Sequence, residues 1–326
     1  MANVLVTGAA GFIGSHLARE CLERGHTVLG VDSFTPYYDP EIKRANVAGL
    51  ESHGAWTLLE GDLLDIDLRS LLDRIDIVFH LAAQPGVRTS WGQTFAAYVD
   101  SNVSALQRLL EASRSVALER FVFASSSSVY GDAERLPTHE EIPLQPISPY
   151  GATKTLGEHL CRLYHRSYGL PTVTLRYFTV YGPRQRPDMA FNRLITAAME
   201  HDEIVIYGDG RQTRDFTFVA DAVDGTIVAA EDGRPGAVYN LGGGARTSMN
   251  EVVEMIGDLT GEQLIVRRVA AQAGDARDTA ADTSRARKQL GFRPSCTLYD
   301  GLARQVAWHR SARQAVAMVG ASAGGG

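Results

Sequence analysis

The sequence predicts an α/β protein, a doubly wound and mostly parallel sheet followed by a smaller C-terminal α/β substrate unit. Short runs rich in Val, Leu and Ile alternate with longer segments of helical period through the first half of the 326 residues. Alternation of this kind places parallel strands between helices that cover both faces of a sheet. The first apolar run is also joined to the first helical segment by a glycine-rich turn, and sheets of this class bind ligands at the carboxyl ends of their strands.

Taken in order, Val4–Val6 reads as the first strand, Phe12–Glu23 as a helix and Thr27–Val31 as the second strand. A third strand is expected just before Gly61-Asp62-Leu63. Ile75–Leu81 and Phe121–Ala124 read as two more buried strands, preceded by helical stretches at Leu68–Asp73 and Asn102–Ser113. Ser148-Pro149 opens a long helix over Tyr150–Tyr168, which Gly169 and Pro171 end, and Thr172–Arg176 is another strand. Beyond it, loops rich in Pro, Gly and Arg separate a helix at Ala190–Glu200 from extended runs at Ile204–Tyr207 and Ala237–Leu241. Ser248-Met-Asn-Glu251 is a capping box that opens a further helix. The division expected is a sheet unit at 1–180 with return segments near 214–245, then a second unit at 181–312. Residues 313–326, ending Ala321-Ser-Ala-Gly-Gly-Gly326, offer little to bury and are expected to form a disordered tail.

The chain is 44% hydrophobic and 21% charged, within the soluble globular range, and its net charge of −6 argues against a nucleic-acid partner. An anionic ligand would therefore need a local cluster of Arg or Lys. Cys21, Cys161 and Cys296 form no C-x-x-C pair, which argues against a disulfide framework and for a reducing setting. Neither a signal peptide nor a membrane span is visible, so the expected location is the cytoplasm. The nine histidines show no metal-ligand spacing, so no metal is expected, and His80 and His165 read as structural.

Thr7-Gly8-Ala-Ala-Gly11-Phe-Ile-Gly14 lies between a strand and a helix. Glycines there let the backbone turn tightly and approach a pyrophosphate, whose charge faces the helix N-terminus. Three glycines alone could simply make a tight turn. Asp32 adds the second feature, an acid at the end of the next strand that can accept both adenosine ribose hydroxyls and would repel a 2′-phosphate. The two together point to NAD as cofactor. Asp62 follows the third strand and could meet the adenine amine, or be a turn residue.

Tyr150 and Lys154 stand at i and i+4, on one face of their helix. A phenol ionises near pH 10, and a neighbouring ammonium favours the phenolate, so such a pair can work as a base near neutrality. The same spacing also occurs on ordinary amphipathic helices. Ser125-Ser-Ser-Ser-Val-Tyr-Gly131, directly after a predicted strand, adds hydroxyls that can hold a reacting oxygen beside Tyr150.

With these motifs together the chain resembles an extended short-chain dehydrogenase/reductase of the nucleotide-sugar epimerase/dehydratase family. The matching stretches are Thr7–Leu17, His80-Leu-Ala-Ala83, Ser125–Gly131, Tyr150-Gly-Ala-Thr-Lys154, Leu175–Pro183, Arg214-Asp-Phe and Tyr239-Asn-Leu-Gly242. The resemblance runs from about residue 3 to 310. It implies a Rossmann-type NAD unit at 1–180 and a nucleotide-sugar unit at 181–312. It also implies catalysis by Tyr150, Lys154 and Ser126, with NAD held by Gly8, Gly11, Phe12, Ile13, Gly14, Asp32, Asp62, Leu63, Leu81, Ala82, Ala83, Asn102, Tyr150, Lys154 and Tyr177. A homodimer through a four-helix interface is implied as well.

Members of that family open alike, oxidising sugar C4 to a ketone, and diverge afterwards. Those that eliminate water or carbon dioxide carry Glu two residues before the Tyr of Val-Tyr-Gly, dehydratases with an Asp before it. Here the residues are Ser127 and Ser128, poor acids and bases, which leaves epimerisation at C4. The stretch Tyr177–Phe191, with Thr179, Arg184 and Arg186, is similar to UDP-glucuronate 4-epimerases; UDP-glucose 4-epimerases usually have Asn in place of Thr179. Ser127, Ser128 and Thr179 could hold a substrate carboxylate, with Arg88 or Arg186 as charge complement. Arg193 and Arg214 are expected at the diphosphate and Asp275 at the uridine ribose. The family often has Arg where this chain has Gln272, a contact Arg277 could take over. The expected partner is therefore a UDP-sugar, UDP-glucuronate or UDP-galacturonate. UDP-glucose epimerisation, UDP-glucuronate decarboxylation and a non-catalytic regulatory protein are the alternatives.

Overall fold

The computed structural model describes residues 1–270, 272 and 274–323, with the side chains of 315–323 left aside. Its centre is a seven-stranded sheet. In chain order the first six strands are β1 (Asn3–Thr7), β2 (Thr27–Asp32), β3 (Trp56–Glu60), β4 (Ile77–His80), β5 (Arg120–Ser126) and β6 (Thr172–Tyr177). Val238–Leu241 supplies the seventh, on the far side of β6. The spatial order is Val238–Leu241, β6, β5, β4, β1, β2, β3, and every pairing is parallel. The chain winds outward from β1 to β3 and then returns to lay β4 against the other side of β1. Ligands bind at such a reversal, beyond the carboxyl ends of the strands.

Side chains alternate across each strand, so one strand feeds two cores. Val4, Val6, Ile77, Phe79 and Val122 face the helices Phe12–Glu23 and Val219–Asp232. Leu5, Val78, Phe121 and Phe123 face the helices Ala105–Ser113 and Pro149–Tyr168. Both faces are dry, which is why these strands are apolar without interruption.

Three small two-stranded sheets lie beyond β6 and join Glu203–Tyr207 to Ile265–Val269, Thr213–Asp215 to Arg246–Ser248, and Val180–Tyr181 to Thr217–Phe218. The capping box is present, with Ser248 and Glu251 satisfying each other's backbone amides at the start of Met249–Thr260.

The final helix, Leu298–Ala323, crosses most of the segment expected to be a structureless tail. No glycine or proline interrupts residues 302–319, and that stretch is rich in alanine, the strongest helix former. Residues 324–326 of the expected tail lie outside the described residues. Among the described residues no helix is long and apolar enough to cross a membrane.

Candidate functional site

A cavity opens across the strand ends at the β1/β4 reversal. It is lined by Gly8, Gly11, Phe12, Ile13 and Gly14 after β1, Asp32 at the end of β2, Asp62 and Leu63 after β3, and Leu81, Ala82 and Ala83 after β4. Ser126, Ser127 and Ser128 come from β5 and its following turn, Tyr150 and Lys154 from the long helix, and Tyr177, Thr179 and Arg186 from β6 and beyond.

The glycine loop is built for close approach. Gly8 sits at φ 71°, and a Cβ on Gly14 would lie 2.1 Å from the Gly8 carbonyl oxygen, so neither position tolerates a side chain. The helix Phe12–Glu23 has no side-chain cap and no acid in its first turn, which leaves its first amides for an anion. Asp32 is buried; its carboxylate accepts the Ala10 amide at 3.1 Å and the Phe34 amide at 2.9 Å, and Lys43 Nζ lies 3.5 Å away. The cradle offers what a dinucleotide needs, free helix N-terminal amides for a pyrophosphate and a strand-end carboxylate for ribose hydroxyls.

His80 anchors the next wall of the cavity. Its Nδ1 meets the Thr7 hydroxyl at 2.8 Å, and that hydroxyl accepts the Ala82 amide at 3.2 Å, which fixes Leu81–Ala83. Burial, with Lys154 nearby, pushes the imidazole down to about 3, so it is neutral in the working range. Asn102 bonds both backbone groups of Gln84, which lines the cavity, and the Thr153 hydroxyl, so it ties the loop after β4 to the long helix. Tyr177 turns its hydroxyl to Thr226 at 2.7 Å and leaves its ring at the cavity.

Ser148 caps the long helix by accepting the Gly151 amide, and Pro149 pre-sets its first turn. Tyr150 therefore enters the cavity one turn before Lys154, packed edge-on against Tyr98. Burial pushes the phenol upward, while the Arg186 guanidinium and the Ser126 hydroxyl pull it back. Lys154 Nζ donates to the Ala124 carbonyl at 2.8 Å and lies over the Tyr150 ring, 6.0 Å from its centre. Burial lowers the Lys154 ammonium to about 8.

A second cavity adjoins the first, and Thr179 lines both. Arg193, Arg214, Asp275, Gln272 and Arg277 line it. So does Arg88, which corrects its expected place beside the serines. Its guanidinium lies over the Tyr207 ring at 4.0 Å and pairs with Asp275 at 2.5 Å. Cation–π attraction and the carboxylate draw it away from the sugar end. Of the two arginines considered for the serine-lined end, the structure brings Arg186 there and not Arg88.

Sequence reading missed one buried assembly beside the site. Glu158, at i+8 from Tyr150, takes a two-pronged contact from Arg176 at 2.9 and 2.6 Å and a bond from the Ser125 hydroxyl at 2.5 Å. Arg176 also donates to Tyr130, whose hydroxyl donates to Asn240. The i, i+4, i+8 series Tyr150, Lys154, Glu158 was the available signal.

A glycine cradle, a strand-end acid, and a Tyr and Lys over a serine turn together define an enzyme that moves hydride between a bound dinucleotide and an alcohol. The family model described as "NAD dependent epimerase/dehydratase family" matches residues 4–242. The chain belongs to that family, and its cofactor is NAD. A UDP-glucuronate 4-epimerase of Thermodesulfobacterium geofontis is 37% identical, the match covering 95% of this chain and 97% of that protein. An uncharacterised UDP-glucose epimerase of Bacillus subtilis is 46% identical, with 96% and 99% covered. The crystal structure of UDP-glucuronic acid 4-epimerase from Bacillus cereus, in complex with UDP-glucuronic acid and NAD, superposes with a TM-score of 0.93 at 42% identity, covering 95% of this chain and 99% of that one.

Proposed function

We propose that this chain is a UDP-glucuronate 4-epimerase, interconverting UDP-glucuronate and UDP-galacturonate through a 4-keto sugar. The observation that carries the reading is one cavity in which Tyr150 and Ser126 meet Ser127, Ser128, Thr179 and Arg186. NAD, when bound, would supply the acceptor and the donor for the sugar C4 hydride. Tyr150 removes the C4 hydroxyl proton and later returns it to the other face, Ser126 holds that oxygen, and Lys154 supplies positive charge and orients the cofactor ribose. Arg193 and Arg214 hold the diphosphate while the keto sugar turns over.

A 4-keto uronate is a β-keto acid and loses carbon dioxide when its C5–carboxylate bond aligns with the carbonyl π system. Ser127, Ser128, Thr179 and Arg186 clamp the carboxylate out of that alignment. No carboxylic acid stands at positions 127 or 128 to work on the C5 proton, which supports epimerisation over elimination. Leu156 and Leu163, seven residues apart on one face of the helix Pro149–Tyr168, are exposed, and we assign that face to a homodimer. Three free cysteines fit a cytoplasmic enzyme. UDP-glucose epimerisation is the second reading, because Arg186 already has an internal partner, Asp188.

The test is incubation of the purified holoenzyme with UDP-glucuronate and, separately, UDP-glucose, followed by proton NMR. UDP-galacturonate alone is expected. UDP-galactose alone would refute the uronate reading, and UDP-xylose would refute the clamp.

A further inference from the structure

Of the arginines, Arg186 is the one that lines the first cavity, and its guanidinium is paired with a carboxylate of its own chain. Its Nε donates to Asp188 Oδ1 at 2.9 Å and its Nη2 to Asp188 Oδ2 at 3.0 Å, a two-pronged pair. The chain holds the pair locally. The Met189 amide donates to the Arg186 carbonyl at 3.1 Å, closing a turn with Pro187 at its second position, where proline favours such turns. Arg186 is the more enclosed partner at 20% side-chain exposure; Asp188, at 35%, reaches solvent. Tyr37 touches the same carboxylate oxygen at 3.4 Å, from the loop that follows Asp32.

A guanidinium offered to an incoming carboxylate is therefore already holding one. Two carboxylates at one guanidinium repel each other. Asp188 can leave at little cost, since a part-exposed ion pair contributes weakly and the departing group is rehydrated. A neutral C6 hydroxymethyl group leaves the pair intact, and Arg186 then faces the sugar with its charge compensated.

We infer that Asp188 is the exchangeable counter-ion of Arg186, present on the guanidinium in the resting enzyme and displaced by the substrate's carboxylate. It is a specificity-determining residue that opposes uronate binding and makes a neutral sugar tolerable in the same cavity. This rests on the uronate reading given above.

The test compares the parent holoenzyme with Asp188→Asn and Asp188→Glu in steady-state epimerisation of UDP-glucuronate. UDP-glucose is the comparator, as substrate or as competitive inhibitor. Asp188→Asn keeps the shape and removes the charge. Its KM for UDP-glucuronate is expected to fall about three- to fivefold, the size of a part-exposed ion pair. The constant for UDP-glucose should stay level or rise, and Asp188→Glu should return both to parent values. A higher KM for UDP-glucuronate in Asp188→Asn would mean that Asp188 orients Arg186 for the substrate, and would overturn the inference. Equal changes for both sugars would overturn it too, since a general disturbance of the loop does not discriminate by charge. The ratio of variant to parent tests Asp188, whereas the parent's own turnover tests the uronate reading. A parent inert toward UDP-glucuronate would overturn both.

Discussion

Lys154 is buried, its ammonium donates to the Ala124 carbonyl, and burial takes its pKa from 10.5 to about 8. At roughly 1.4 kcal/mol per pKa unit, that depression amounts to on the order of 3 kcal/mol against folding at neutral pH. The unfolded chain keeps the proton up to pH 10.5, and the folded chain releases it near 8. The penalty is therefore complete below pH 8, shrinks as pH rises from 8 to 10.5, and vanishes above. Lys154→Met removes the charge at similar side-chain length and gives up the bond to Ala124, worth about 1–2 kcal/mol. The net expectation at pH 7 is a variant about 1–2 kcal/mol more stable than its parent. With an unfolding entropy near 2.1 cal/mol/K per residue, this raises Tm by roughly 2–3 °C. Thermal unfolding of the cofactor-stripped proteins at pH 7, 8.5 and 10 measures it, and turnover should fall at least about a hundredfold. A variant less stable than its parent at pH 7, or an advantage that does not shrink toward pH 10, refutes the reasoning.

Tyr150→Phe removes one oxygen and should cut turnover by about a thousandfold or more while the holoprotein keeps its NAD, as read by absorbance after gel filtration. Retained activity would show that the base lies elsewhere. Glu158→Gln leaves Arg176 charged and unpaired at 4% side-chain exposure, and should cost about 3–5 kcal/mol, or roughly 4–7 °C in Tm. A Glu158→Leu, Arg176→Met double variant should regain most of that loss; a double variant no better than the single one contradicts this account. Asp32→Ala should weaken NAD binding about ten- to a hundredfold by titration calorimetry, through loss of charge-assisted bonds to the ribose diol.

What was legible in the sequence is what repeats locally. β1, β4 and β5 announce themselves because both faces of each strand are buried, so apolarity persists along the run. The glycine loop, the strand-end Asp32 and the Tyr150 helix are local patterns with local causes. Side-chain partners across the fold were not legible. Arg88 went to the second cavity because Asp275 lies 187 residues further along the chain and Tyr207 lies beside it. Helical spacing put Tyr150 and Lys154 on one face, but could not show that the ammonium would take a carbonyl 30 residues away. Arg186 was visible as a charge beside a hydroxyl-rich pocket. That its compensating charge stood two residues on, across a proline turn, needed the turn's geometry.

The seventh strand bears on how the protein is made. When a ribosome has produced about 180 residues, β1 to β6 exist, but β6 presents a bare edge until Val238–Leu241 pairs with it. All six residues of β6 are buried in the finished sheet, so the waiting edge is sticky as well as unpaired. About sixty further residues at 5–20 per second leave it open for roughly 3–12 s. Chaperone demand should concentrate in that interval, and a fragment ending at residue 180 should aggregate where one reaching past residue 242 does not.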